Sequence, residues 1–111
     1  MNQKTEEKEE KIFTKIAGVT FEGRQKNIDL LRPGFKGFLE REPENKFDSN
    51  AVKFMIYLNN KEIHLGYVSK MHAPDFAEAM DRGIEYEFQI EQITGTDVQN
   101  RGVNVSITRL K

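Results

Sequence analysis

Apolar residues along this chain fall into short runs separated by polar, glycine- or asparagine-bearing links, the pattern of a small β protein. The clearest alternation comes late. Ile84, Tyr86, Phe88 and Ile90 alternate with Glu85, Glu87, Gln89 and Glu91, which gives one strand an apolar face and an acidic face. Val103, Val105 and Ile107 repeat the period with Asn104, Ser106 and Thr108 between them, and residues 95–102 suit a longer hairpin connection. Upstream, residues 12–19, 35–40, 51–58 and 62–68 read as four more strands, and Asn59-Asn60-Lys61 makes a tight turn between the last two. Strands joined as closely as those between residues 35 and 68 predict an antiparallel meander.

One stretch changes period. Ala73, Phe76, Ala77 and Met80 recur at the i, i+3, i+4, i+7 spacing of a buried helical stripe, with Ser69 placed to cap, Pro74 in the first turn and Gly83 as the stop. Between the first two strands the chain is irregular through Gly23. Ile28, Leu30 and Leu31 are available there to plug the core before Arg32-Pro33-Gly34 ends the excursion. The start, MNQKTEEKEE, has no apolar periodicity, so residues 1–11 are expected to form a disordered acidic lead and residues 12–111 the domain. The expected fold is mainly β with one or two short helices. Six short strands would otherwise leave many open edges, so they predict a small six-stranded β-barrel, closed or nearly closed.

Composition narrows the chemistry. A chain of 111 residues supports one domain with a modest core. The absence of cysteine excludes a disulfide framework and any thiolate metal site, and two histidines, His64 and His72, make a structural zinc an unfavoured choice. No apolar run approaches the roughly 20 residues of a spanning helix, and the acidic start lacks the order of a signal peptide, so a soluble cytoplasmic protein is expected. No phosphate-loop or nucleophile-elbow motif is present.

The net charge of −1 conceals an uneven distribution. Residues 11–72 hold eleven Lys and Arg against seven Asp and Glu, for +4, while residues 1–10 carry −2 and residues 73–111 carry −3. Phosphate binding depends on local cations, so a small site for a strand end passes this test and the coating of long duplex does not.

The positive part contains residues 39–52, LEREPENKFDSNAV, which link two strand-like runs with far more chemistry than a connector needs. Arg41 and Lys46 are cationic, Asn45 and Asp48 stand three apart, and Phe47 places a large ring among polar neighbours. If Phe47 and Phe21 are exposed, they offer stacking faces worth roughly 1 to 3 kcal/mol per base. Arg24, Lys46 and Lys70 then suit phosphate contacts. A carboxylate such as Asp48 repels phosphate unless it accepts a hydrogen bond from a neutral donor such as a sugar hydroxyl. The residues alone fit a plainer account better: Phe21 and Phe47 plug the core, and Asp48 ties a turn. They also leave open a peptide-gripping adaptor, and a small hydrolase using Glu40, Glu42, Glu44 and Asp48.

Four blocks resemble the HIRAN domain in the order that family shows: IAGVTFEGRQ at residues 16–25, LLRPG at 30–34, REPENKFDSNAV at 41–52 and HLGYVSKMHAPDFAEAMDRG at 64–83. The resemblance implies a small β-barrel similar to oligonucleotide-binding folds and a non-enzymatic module that binds the 3′ end of single-stranded DNA, with a role in DNA repair or replication-fork processing. It implies no cofactor or metal; the ATPase and zinc-binding domains of larger HIRAN proteins lie elsewhere in those chains. The expected partners are single-stranded DNA or DNA 3′ ends and a repair or helicase protein, with no membrane and a monomeric state.

By the same resemblance, Phe21 and Phe47 flank the terminal bases, Asn45 and Asp48 hold the 3′-hydroxyl, and Lys70 faces the backbone. The DNA-binding set expected from residues and resemblance together is Thr20, Phe21, Arg24, Arg41, Asn45, Lys46, Phe47, Asp48, Asn50, Tyr67 and Lys70. Thr20 stands where eukaryotic members place an arginine, Tyr67 where they place a histidine, and both stacking positions are Phe in place of Tyr. These departures predict weaker binding.

Overall fold

The computed structural model describes residues 11–19, 21–95 and 101–110, with Phe21 and Glu22 described by backbone alone. Residues 1–10 of the predicted acidic lead, Thr20 and most of the 95–102 connection lie outside the described residues, and Lys11, placed in that lead, instead begins the first strand, paired with Thr108. The elements are β1 (Lys11–Lys15), a 3-10 helix (Phe21–Leu30), β2 (Lys36–Arg41), β3 (Val52–Leu58), β4 (Lys61–Tyr67), α1 (Ala73–Asp81), β5 (Tyr86–Thr94) and β6 (Gly102–Arg109). All six strands form one antiparallel sheet in the order β1-β6-β5-β2-β3-β4.

The local signals built the expected pieces. β2, β3 and β4 form the predicted meander, and Asn59 and Asn60 have φ of 53° and 65° in the β3–β4 turn, the paired positive values that a tight hairpin requires. The alternating residues of β5 and β6 face each other, with Phe88 opposite Ile107 and Ile90 opposite Val105, all four buried. Phe54 on β3 meets Phe88 edge to face at 5.0 Å, and removing each such side chain from water contributes about 1.5 to 3 kcal/mol. α1 turns Ala73, Phe76 and Ala77 into this core, while Met80 packs partly buried against it.

Three further expectations needed correction. The stretch read as irregular winds as a 3-10 helix, in which Ile28 and the following Leu31 are buried but Leu30 is 50% exposed and plugs nothing. The residue capping α1 is His72, and no side chain caps the helix; Ser69 contributes its backbone carbonyl, which accepts from the N–H groups of His72 and Ala73. The first strand ends at Lys15 and does not run to residue 19. Ile16 still donates to Val103 O at 3.0 Å, but Ala17 leaves β6 and exchanges two backbone hydrogen bonds, both 2.8 Å, with Tyr67 at the end of β4.

That bridge links the chain just beyond edge strand β1 to edge strand β4, so the sheet is not a closed ladder but a nearly closed barrel. The crossing requires a glycine on β4. Gly66 has φ of 152°, and a Cβ there would run into the Ala17 carbonyl and the Ile16 side chain.

Candidate functional site

The loop between β2 and β3 is organised by its own polar side chains. Asn45 Oδ1 accepts from the backbone N–H groups of Phe47 at 2.8 Å and Asp48 at 3.0 Å, and Asp48 Oδ1 accepts from Asn50 N at 2.9 Å. These are the bonds by which Asn and Asp stand in for backbone partners in turns. The loop's base is closed by Glu42 N and the Arg41 guanidinium, both bonded to Ala51 O, and Arg41 also pairs with Asp81 of α1 at 2.9 Å. Phe47, held at the tip, is 87% exposed. It is therefore not a core plug, although Asp48 does tie a turn.

A second set of bonds joins the loop to β4. Tyr67 donates its hydroxyl to Glu42 Oε1 at 2.7 Å, and Asn45 Nδ2 donates to the same oxygen at 3.0 Å. Asn45 and Tyr67, by donating to the ionised form, hold the Glu42 carboxyl below its usual range. Tyr67 reaches the loop because β4 carries a bulge: Tyr67 opposes Lys53, Gly66 opposes Phe54 and His64 opposes Met55, leaving Leu65 as the extra residue. Residues three apart point to opposite faces of a regular strand. The extra residue brings His64 and Tyr67 to one face, where their rings meet edge-on at 4.8 Å.

Loop and bulge frame a cleft of about 820 Å³. Seven of the expected binding residues line it: Arg24, Asn45, Lys46, Phe47, Asp48, Tyr67 and Lys70. Arg24 comes from the 3-10 helix, is 6% exposed, donates to Gly18 O at 2.8 Å and lies 5.4 Å from the Tyr67 ring centre. Arg41 and Asn50 do not line the cleft; Arg41 clamps the base of the loop and Asn50 donates to Asp48. Thr20 and the Phe21 side chain lie outside the described residues.

Glu42 and His64 line the cleft and were not among the expected binding residues. Burial and nearby Arg24 keep the His64 imidazole below its ordinary range, and its Nε2 lies 3.0 Å from Gly66 O. Among the described residues no three His, Asp or Glu side chains converge as a metal ion requires. No described helix is long and apolar enough to cross a membrane.

Three of the four blocks that suggested a family, residues 16–25, 41–52 and 64–83, contribute to the cleft, and the HIRAN domain family model matches residues 10–108. The chain belongs to the HIRAN domain family. Its fold is similar to that of a protein from Lactobacillus plantarum, structural genomics target LpR91B, with a TM-score of 0.70 and 21% identity, covering 92% of this chain and 97% of that one. It is also similar to the HIRAN domain of human HLTF, with a TM-score of 0.65 and 20% identity, covering 89% of this chain and 74% of that one. No curated protein matches the sequence.

In this HIRAN domain the cleft carries charge of both signs. Arg24, Lys46 and Lys70 face Glu42, Glu44 and Asp48 around one opening. Asn45 is engaged at both ends of its carboxamide, whereas no hydrogen bond from a described residue reaches Asp48 Oδ2. Such a surface suits a ligand with a few anionic groups, a flat apolar face and a hydrogen-bond donor.

Proposed function

We propose that this HIRAN domain is a non-enzymatic nucleic-acid-binding module whose cleft takes the 3′-hydroxyl end of a single DNA strand. The observation that carries this is the pairing of an exposed stacking ring, Phe47, with a hydroxyl acceptor one residue away, Asp48, beside Lys46 and Lys70. Terminal bases stack on Phe47 without needing a particular sequence. Lys46, Lys70 and Arg24 meet the last phosphates. Asp48 Oδ1 is held by Asn50, so Oδ2 accepts the terminal hydroxyl. Asn45 acts by shaping the loop, since its carboxamide is already engaged there. The setting this implies is strand-end handling in DNA repair or fork processing, alongside a repair or helicase protein, by a cytoplasmic monomer.

Fluorescence anisotropy titrations with 3′-hydroxyl strands, 3′-phosphate strands and blunt duplex test the proposal. The 3′-hydroxyl strand binds best, and its affinity falls as salt rises, with a shallow slope because few cations reach phosphate. Equal binding of the two strand ends overturns end recognition. Equal binding of blunt duplex overturns single-strand selectivity.

A further inference from the structure

His64, an ionisable group that lines the cleft, is left unused by the strand-end proposal. The bulge at Leu65 puts His64 on the face that lines the opening, beside Tyr67. Its Nε2 is 3.0 Å from the Gly66 carbonyl, which can only accept, so Nε2 carries a proton whether the ring is neutral or charged. The proton that comes and goes is therefore on Nδ1. No hydrogen bond from a described residue reaches Nδ1, and it is not among the buried polar atoms lacking a partner, so it keeps some exposure, on a residue that lines the cleft.

We propose that His64 is a phosphate-contacting residue of the cleft, one that donates from Nδ1 to a strand phosphodiester when protonated and withdraws that contact when neutral. This rests on the strand-end reading above and adds a ligand contact and a pH dependence to it. The neutral ring turns a lone pair toward the opening and repels a phosphate oxygen; the protonated ring presents an N–H and a positive charge.

The surroundings give the sign. Burial, then Arg24 on the 3-10 helix and Lys53 on β3, disfavour the protonated ring in the free protein, the Gly66 carbonyl and Glu42 from the β2–β3 loop favour it, and Tyr67 of β4 packs against its edge. An arriving phosphate offsets the two cations. Binding therefore takes up a proton, and affinity rises as pH falls.

A 3′-hydroxyl oligothymidylate is the suitable probe, because its diesters and thymines keep their charge across the range. The wild-type protein is expected to bind it roughly three- to tenfold more tightly at about pH 5.5 than at about pH 8. His64→Gln keeps an N–H for the Gly66 carbonyl and a neutral acceptor, and it is expected to bind equally at both pH values with the wild-type affinity of pH 8. NMR of the wild-type ring gives an independent measure: the His64 pKa rises on adding the strand. Binding with the same pH dependence in both proteins, or an unshifted ring pKa in the complex, overturns the role of His64 and leaves the strand-end reading standing. No binding at either pH overturns both.

Discussion

Tyr67 on β4 donates its phenolic hydrogen to Glu42 Oε1 at 2.7 Å, across 25 residues of sequence. The same carboxylate oxygen accepts from Asn45 Nδ2, so one acceptor ties edge strand β4 to the loop that carries Phe47 and Asp48.

Tyr67→Phe removes that tie while keeping the ring. The expected loss of folding stability at neutral pH is about 1 kcal/mol, with weaker strand binding as the loop loosens. Because the folded-state pKa of Glu42 is lowered from its ordinary 4.5, its ionised form adds stability above that value, which is lost as pH falls through the folded pKa. Urea unfolding of both proteins at neutral and acid pH should show the gap between them narrowing in acid.

Phe47→Ala tests the exposed ring. At 87% exposure it supports little packing, so stability should change by no more than about 0.5 kcal/mol. Strand affinity should fall by roughly 1 to 3 kcal/mol if the ring stacks on a base. Anisotropy and thermal melting on the same samples separate the two effects.

Asp48→Asn keeps an oxygen for the Asn50 N–H and removes the charge. Wild-type protein should reject a 3′-phosphate, which replaces the donor with charge beside a carboxylate, and the variant should narrow that preference with little change in general strand affinity. Unchanged end preference with lower stability would reduce Asp48 to a turn residue.

Gly66→Ala places a Cβ against Ala17 and Ile16 at a backbone angle that side chains rarely adopt. A loss of about 2 to 4 kcal/mol is expected in denaturant unfolding. The bridge between Ala17 and Tyr67 should open first, visible as faster exchange of those two amides.

Much of this molecule follows from the sequence by itself. The period of two in β5 and β6, the Asn59-Asn60 turn and the helical stripe of α1 are local patterns, and local sterics and burial suffice to read them. The β2–β3 loop stood out for the same reason, since Asn45, Phe47 and Asp48 lie within four consecutive residues and the loop's own hydrogen bonds shape it. Only the tertiary structure decided the rest. Whether Phe47 was core or surface depended on what packed above the loop, and Leu30 was placed outside the core by the winding of the 3-10 helix. Glu42 and His64 joined the site through β4, whose bulge at Leu65 shifts the face of every residue beyond it by one. Spacing along the chain carries no mark of that shift, because an unpaired residue is defined by the register against β3 and by the Ala17 crossing at Gly66, both of which exist only once distant strands have met.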